Sequence, residues 1–170
     1  MTPLLFHKYH GLGNDYLVCE RSVAEQLSIE QIRIICHRHY GFGSDGLLID
    51  SGDQHHPTLR IINPDGSEAE KSGNGLRIYA RYLYDIGRVG HEPFLVRTAG
   101  GDVHCRVHED PHQITVEMGR ANFSPAALPA LIEQPEVLNY PLKLADETLR
   151  VSLVSMGNPH CVVLVDKLDL

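Results

Sequence analysis

The sequence predicts an α+β fold, rich in strands and with few helices. Short apolar segments run or alternate between clusters of Gly, Asn, Asp and Pro, as in LLFHKYH, DYLVCE, GLLIDS and TLRIIN. That is how strands are written. Only two stretches show sustained helical spacing, and residues 93–119 repeat strand and turn signals in succession, as a β-meander does.

The elements follow in order. LLFHKYH (residues 4–10) and DYLVCE (15–20) read as strands joined by a Gly-Leu-Gly-Asn turn. Ser28 with Gln31 forms a capping-box signature, and Ile29, Ile32, Ile35 and Cys36 continue it at helical spacing, with Gly41 expected as the C-cap. Two strands, GLLIDS and TLRIIN, flank the polar loop GDQHHP. A second helix is expected from about Asn74, since Leu76, Tyr79, Ala80 and Leu83 fall at i, i+3, i+4 and i+7 and Gly87 stops it. The meander is PFLVRT, an AGG turn, DVHCRVHE, a DPHQ turn and ITVEMG. Residues 120–142 are Pro-rich and read as a connector. LRVSLVSMGNPHCVVLVD then reads as two strands around a tight turn.

Composition narrows the function. With 42% hydrophobic and 22% charged residues, the chain is ordinary globular material. No apolar run is long enough to span a bilayer, and the N-terminal stretch is too short for a signal peptide, so a cytoplasmic location and no membrane partner are expected. A formal charge of −7 without a Lys/Arg run argues against a nucleic-acid partner. Cys19, Cys36, Cys105 and Cys161 are widely spaced, which favours isolated buried thiols over disulfides or a zinc knuckle. The pairs His37/His39, His55/His56 and His104/His108 supply no three-ligand set, so no metal is expected; His104 and His108 are placed on one face of a strand.

Residues 63–77, NPDGSEAEKSGNGLR, lie between a strand and an amphipathic helix. Free N–H groups and the positive end of the dipole meet there, a ready place for a carboxylate. Gly73 and Gly75 allow close backbone approach, and Asn63 and Asn74 can each donate and accept. The same residues equally suit a decorated turn with Ser72 or Asn74 as N-cap. GFGSDG (41–46) matches G-x-G-x-x-G, but it follows a helix and opens a strand, the reverse of a dinucleotide fingerprint. There is also an internal echo, since Gly13–Val18 resembles Gly157–Val162. It hints at a duplicated domain in which the partner of Ser72 would fall beyond Leu170. His160, just after the second Gly-Asn turn, is the one histidine expected to face a cleft.

FHKYHGLGNDYLV, NPDGSEAEKSGNGLRIYARYL and SMGNPHCVVLV together resemble the diaminopimelate epimerase family. The resemblance implies β-rich domains, each wrapped around a central helix and duplicated in the full-length family, with the site in the cleft between them. On that pattern residues 1–119 are the first domain, 120–142 the connector and 143–170 the start of the second. It also implies interconversion of LL- and meso-diaminopimelate in lysine and peptidoglycan precursor synthesis, by two opposed acid–base groups and without pyridoxal phosphate or another cofactor. Inverting Cα needs a proton removed from one face and another delivered to the opposite face, shielded from water. Asn14, Asn63, Gly73, Asn74 and Asn158 match positions that hold the substrate, and His160 matches a histidine that tunes the acid–base pair.

The sequence departs from the family pattern at Ser72, which stands where the family has a catalytic cysteine. A helix N-terminus readily lowers a thiol's pKa, whereas a hydroxyl needs its own base. Gly46 falls where some members carry a substrate-binding glutamine. The family's second cysteine and a Glu-Arg pair would lie past residue 170, so the chain is expected to be truncated and its two-base chemistry incomplete or impaired. Two alternatives stay open: a non-catalytic amino-acid-binding or partner-docking homologue, and a one-base isomerase or dehydratase of the same fold. The ending, LVDKLDL, also leaves open a homodimer that rebuilds the cleft.

Overall fold

The computed structural model describes residues 4–53 and 55–167. Residues 1–3, Gln54 of the polar loop and 168–170 of the C-terminal ending lie outside the described residues. By its contacts the chain divides into two compact units, Met1–Glu117 and Met118–Leu170.

In the first unit, β1 (His7–Gly11) and β2 (Asn14–Glu20) form a hairpin with Gly11 opposite Asn14. Leu12 and Gly13 make the two-residue turn at φ 55° and 90°, the hairpin geometry whose twist matches that of the strands. The chain then passes through a short helical turn, α1 (Arg21–Ala24), and α2 (Ile29–Cys36) into β3 (Leu47–Asp50). β3 runs parallel to β2, with Leu17 opposite Leu47. β4 (Leu59–Ile62) and the two-residue β5 (Glu68–Ala69) complete a sheet in the order β1-β2-β3-β4-β5. A second sheet, β6-β7-β8, is the meander Phe94–Thr98, Gly101–Val107 and Ile114–Val116.

Between them in sequence lies α3 (Gly73–Asp85), which packs against β1, β2 and β4 of one sheet and β7 and β8 of the other. Leu76, Tyr79, Ala80 and Leu83 are each 0% exposed, and Ile78 and Tyr82 are also buried. The β-rich unit therefore wraps a central helix, as expected from the sequence. Truncating any one of these large side chains would cost on the order of 2–5 kcal/mol. The buried Tyr79 hydroxyl donates to Asp50 Oδ1 at 2.6 Å, and Arg88 pairs with the other oxygen of Asp50, so both carboxylate oxygens are engaged, while Arg88 Nε and Ser51 Oγ stay buried without a partner among the described residues.

The capping box of α2 is present: Ser28 Oγ accepts from Gln31 N–H, and Gln31 Oε1 accepts from Ser28 N–H. Ile32 and Cys36 pack with Leu17, Cys19, Leu47, Ile49 and Ile62. The helix stops at Cys36, with His37 as C-cap, four residues before the expected Gly41. The following loop folds back on the helix. Gly43 N–H donates to Ile35 O and Ser44 N–H to Cys36 O, so last-turn carbonyls are satisfied without a glycine cap. β7 ends at Val107, which leaves His108 off the strand that carries His104. Neither α1 nor β5 was expected from the sequence.

The second unit is a three-stranded sheet, β9 (Tyr140–Lys143), β10 (Thr148–Ser155) and β11 (Pro159–Val163), in the order β11-β10-β9. β9 was not anticipated; Pro141 fits there because β9 is an edge strand. Residues 120–139 bond into the same body: Asn122 and Ser155 exchange backbone hydrogen bonds, Leu153 N–H donates to Val137 O, and Val137 is fully buried. Among the described residues, no helix is long and apolar enough to cross a membrane.

The loop after α2 is anchored to β1 and β2 by charge. Arg38 Nη2 lies 2.7 Å from Asp15 Oδ1, and Lys8 Nζ lies 3.1 Å from Asp15 Oδ2. Lys8 also donates to the carbonyls of Phe42 and Gly43. The Asp15 side chain is only 10% exposed. The Arg38 hydrogen bond, aided by Lys8 and opposed by burial, holds its carboxyl down at about 2. Because the folded value is depressed, this contribution is full above the unfolded value and is lost as pH falls toward the folded one. Arg38 is half-exposed and solvent screening reduces the effect, which leaves about 1–2 kcal/mol. Chemical denaturation between about pH 6 and pH 2 should therefore show the wild type losing that much more stability than Asp15→Asn. Parallel pH profiles for the two proteins would contradict the assignment.

Candidate functional site

The segment between β4 and α3 brings most of the candidate residues to one end of the central helix. Ser72 is the N-cap of α3: its backbone is extended and its Oγ accepts from Gly75 N–H at 3.0 Å. Leu76 N–H donates to Ser72 O. Gly73 and Asn74 occupy the first two helical positions, and their N–H groups find no acceptor among the described residues. Two such donors at the positive end of a thirteen-residue helix have the chemistry that suits a carboxylate.

The β1–β2 turn lies against this terminus. Gly11 faces the side chain of Asn74, and Asn74 Nδ2 donates to Asn14 Oδ1 at 3.4 Å. Asn14 Nδ2 donates to Asp45 Oδ2 at 2.8 Å, which also accepts from Asp15 N–H at 3.0 Å. Asp45 Oδ1 accepts from Arg38 at 2.7 Å. Asn14, Ser72, Gly73 and Asn74 are thus gathered at one place, where the N–H groups of Gly73 and Asn74 lie near the linked amides of Asn14 and Asn74. That pairing suits the carboxylate and ammonium of an α-amino acid.

Asn63 stands apart from this group. It follows β4 and closes its own turn, with N–H to Ser67 O at 2.8 Å and Nδ2 to Ser67 Oγ at 3.0 Å. Among the described residues no hydrogen bond joins it to Asn14, Ser72 or Asn74. Asn158 and His160 belong to the second unit, where His160 Nε2 lies 3.0 Å from Asn158 Oδ1 at the β10–β11 turn. Gly46 has φ +153°, and a Cβ there would sit 2.4 Å from Ile62 O, so a glutamine side chain has no place on this backbone. No group of three His, Cys, Asp or Glu residues able to hold a metal occurs among the described residues.

Burial disfavours the thiolate at each cysteine of the first unit. Burial pushes Cys19 and Cys105 up to about 12 and raises Cys36 as well. Alongside α3, Asn74 also borders a cavity of about 630 Å³ to which the helix presents Arg77, Ile78 and Arg81 and which, among the described residues, no Asp or Glu lines. Sequence reading missed Lys8, Asp15, Arg38 and Asp45. The one available signal was an acidic residue inside the glycine-rich GFGSDG.

The capping role of Ser72 has a measurable consequence. Ser72→Ala removes the acceptor for Gly75 N–H and should destabilise the first unit by about 1 kcal/mol. Ser72→Asp, which restores an acceptor, should recover that loss in urea denaturation. An unchanged midpoint for Ser72→Ala would show that the cap carries no weight.

Comparison with known proteins identifies the family. The family model described as diaminopimelate epimerase matches residues 6–124. Diaminopimelate epimerase 2 of a Nostoc species is 44% identical over 167 residues, covering 96% of this chain and 59% of its own length. The diaminopimelate epimerase of a Synechococcus species is 39% identical over 175 residues, covering 98% and 61%. The chain thus spans about three-fifths of the length of these relatives. Among solved structures, a probable proline racemase from Agrobacterium radiobacter superposes with a TM-score of 0.64 at 15% identity, over 95% of this chain and 52% of that one, a likeness of fold. With motifs, fold and sequence identity in agreement over most of its length, the chain belongs to the diaminopimelate epimerase family.

Proposed function

We propose that the first unit is the substrate-holding half of a site for diaminopimelate, serving cofactor-independent epimerisation between the LL and meso forms. The observation that carries this reading is the meeting of the α3 N-terminus with Asn14. Gly73 and Asn74 N–H would take the α-carboxylate, and Asn14 Oδ1 with the Asn74 amide would face the ammonium. A carboxylate seated on a helix N-terminus is also stabilised as it gains enolate character when the α-proton leaves. Asn63 would hold the substrate after turning its amide from Ser67. In the proposed arrangement residues 1–119 form the first domain, 120–142 the connector and 143–170 the beginning of the second, which carries Asn158 and His160.

Ser72 decides how far the chemistry goes. Its hydroxyl oxygen is engaged as the helix cap, and no base is hydrogen-bonded to it among the described residues. This favours a second reading, in which the chain binds the amino acid without itself abstracting the α-proton. Both readings require binding at the same place.

Titration calorimetry with LL-diaminopimelate tests that shared requirement. Saturable binding to the wild type is expected, with Asn74→Ala weakening it by about tenfold, equivalent to ~1.4 kcal/mol. Pimelate, which lacks both amines, should compete poorly. Absence of binding, or equal affinity in Asn74→Ala, would overturn the proposal. In D₂O, loss of the substrate α-proton distinguishes epimerase chemistry from binding alone.

A further inference from the structure

We infer that Asp45 is a positioning residue that fixes the direction of the Asn14 amide, and through it the polarity of the ammonium side of the site; the inference rests on the amino-acid-binding reading above. An asparagine amide presents two nearly isosteric ends, one donating and one accepting. Which end faces the ligand is decided by the partner of the other end. Here that partner is a carboxylate, and the Asp45 carboxylate accepts without donating. With Asn14 Nδ2 2.8 Å from Asp45 Oδ2, the amide must turn its NH₂ toward Asp45 and its oxygen toward Asn74.

The Asp45 carboxylate is itself held by two further donors, and the residue's backbone is tied to β2 by a third bond. Asp15 N–H donates to Oδ2 at 3.0 Å, Arg38 Nη2 donates to Oδ1 at 2.7 Å, and Asp45 N–H donates to Asp15 O at 2.8 Å. Arg38 also reaches Asp15. The carboxylate can therefore neither rotate away nor be replaced by water without uncoupling the loop from β2. The order runs Arg38 to Asp45 to Asn14 to Asn74, each donor facing an acceptor. It leaves Asn74 Oδ1 without a donor among the described residues and open to a ligand, which favours an ammonium group over a neutral substituent of the same size.

Asp45→Asn is nearly isosteric but offers both a donor and an acceptor, so the Asn14 amide loses its fixed direction. Affinities for diaminopimelate and for 2,6-dihydroxypimelate, which carries hydroxyls in place of both amines, are measured on wild type and variant. The wild type is expected to prefer the amine, and the variant to lose about tenfold in amine affinity with the hydroxyl analogue little changed. Equal weakening of both ligands would mark a merely structural role, and unchanged preference would show that Asp45 sets nothing; either overturns the inference while leaving the binding reading intact. If the wild type bound neither ligand, the binding reading itself would fail. A ligand-free measurement stands independently: a scalar coupling across the hydrogen bond between Asn14 Nδ2 and the Asp45 carboxylate carbon is expected in the wild-type NMR spectrum. Its absence would overturn the inference whatever the folding of the variant.

Discussion

Burial of α3 between two sheets is the constraint on which the first unit depends. A helix with Leu76, Tyr79, Ala80 and Leu83 fully inside leaves little of its length for function, namely its N-terminal end and the side that carries Arg77 and Arg81. There Ser72 caps the helix and the N–H groups of Gly73 and Asn74 emerge beside the β1–β2 turn. The hydrophobic contacts that stabilise the fold thus also aim the positive end of the helix dipole. Gly75 sits where a Cβ would approach Leu48 Cδ2 to 3.2 Å, so the same close packing draws the terminus down onto the sheet.

A second set of forces fixes what faces that terminus. Lys8 and Arg38 converge on Asp15, and Arg38 continues to Asp45, which ties a loop after α2 to two strands distant in sequence. Exposed ion pairs contribute little by themselves. This set gains from the low exposure of Asp15 and from sharing Arg38 between two carboxylates. Its effect on the site is directional more than energetic, since it determines which end of the Asn14 amide is available.

The local parts of this arrangement were legible in the sequence. Ser28 with Gln31 announced α2, the spacing of Leu76, Tyr79, Ala80 and Leu83 announced α3, and turn residues marked the hairpins. These signals are short-range, so periodicity and capping chemistry suffice to read them. The end of α2 was misplaced at Gly41 because the carbonyls of its last turn are satisfied by loop N–H groups, which leave no residue signature. β5 and α1 were too short to show a period, and Pro141 disguised β9. Within the candidate site, Ser72, Gly73 and Asn74 were singled out through the helix start, and Asn14 only through the family resemblance. Lys8, Asp15, Arg38 and Asp45 went unseen because their partnership exists only after β2 and β3 pair in parallel across an intervening helix.

The central claim is that the N-terminus of α3 receives the amino acid's carboxylate. The most direct measurement is an NMR titration of the ¹⁵N-labelled chain with LL-diaminopimelate, following every amide. The account predicts saturable shifts concentrated at the backbone N–H of Gly73 and Asn74 and at the side-chain amide of Asn14. Shifts centred instead on Ser51, Asp53 and Arg88, beyond the opposite end of a helix about 20 Å long, would contradict it.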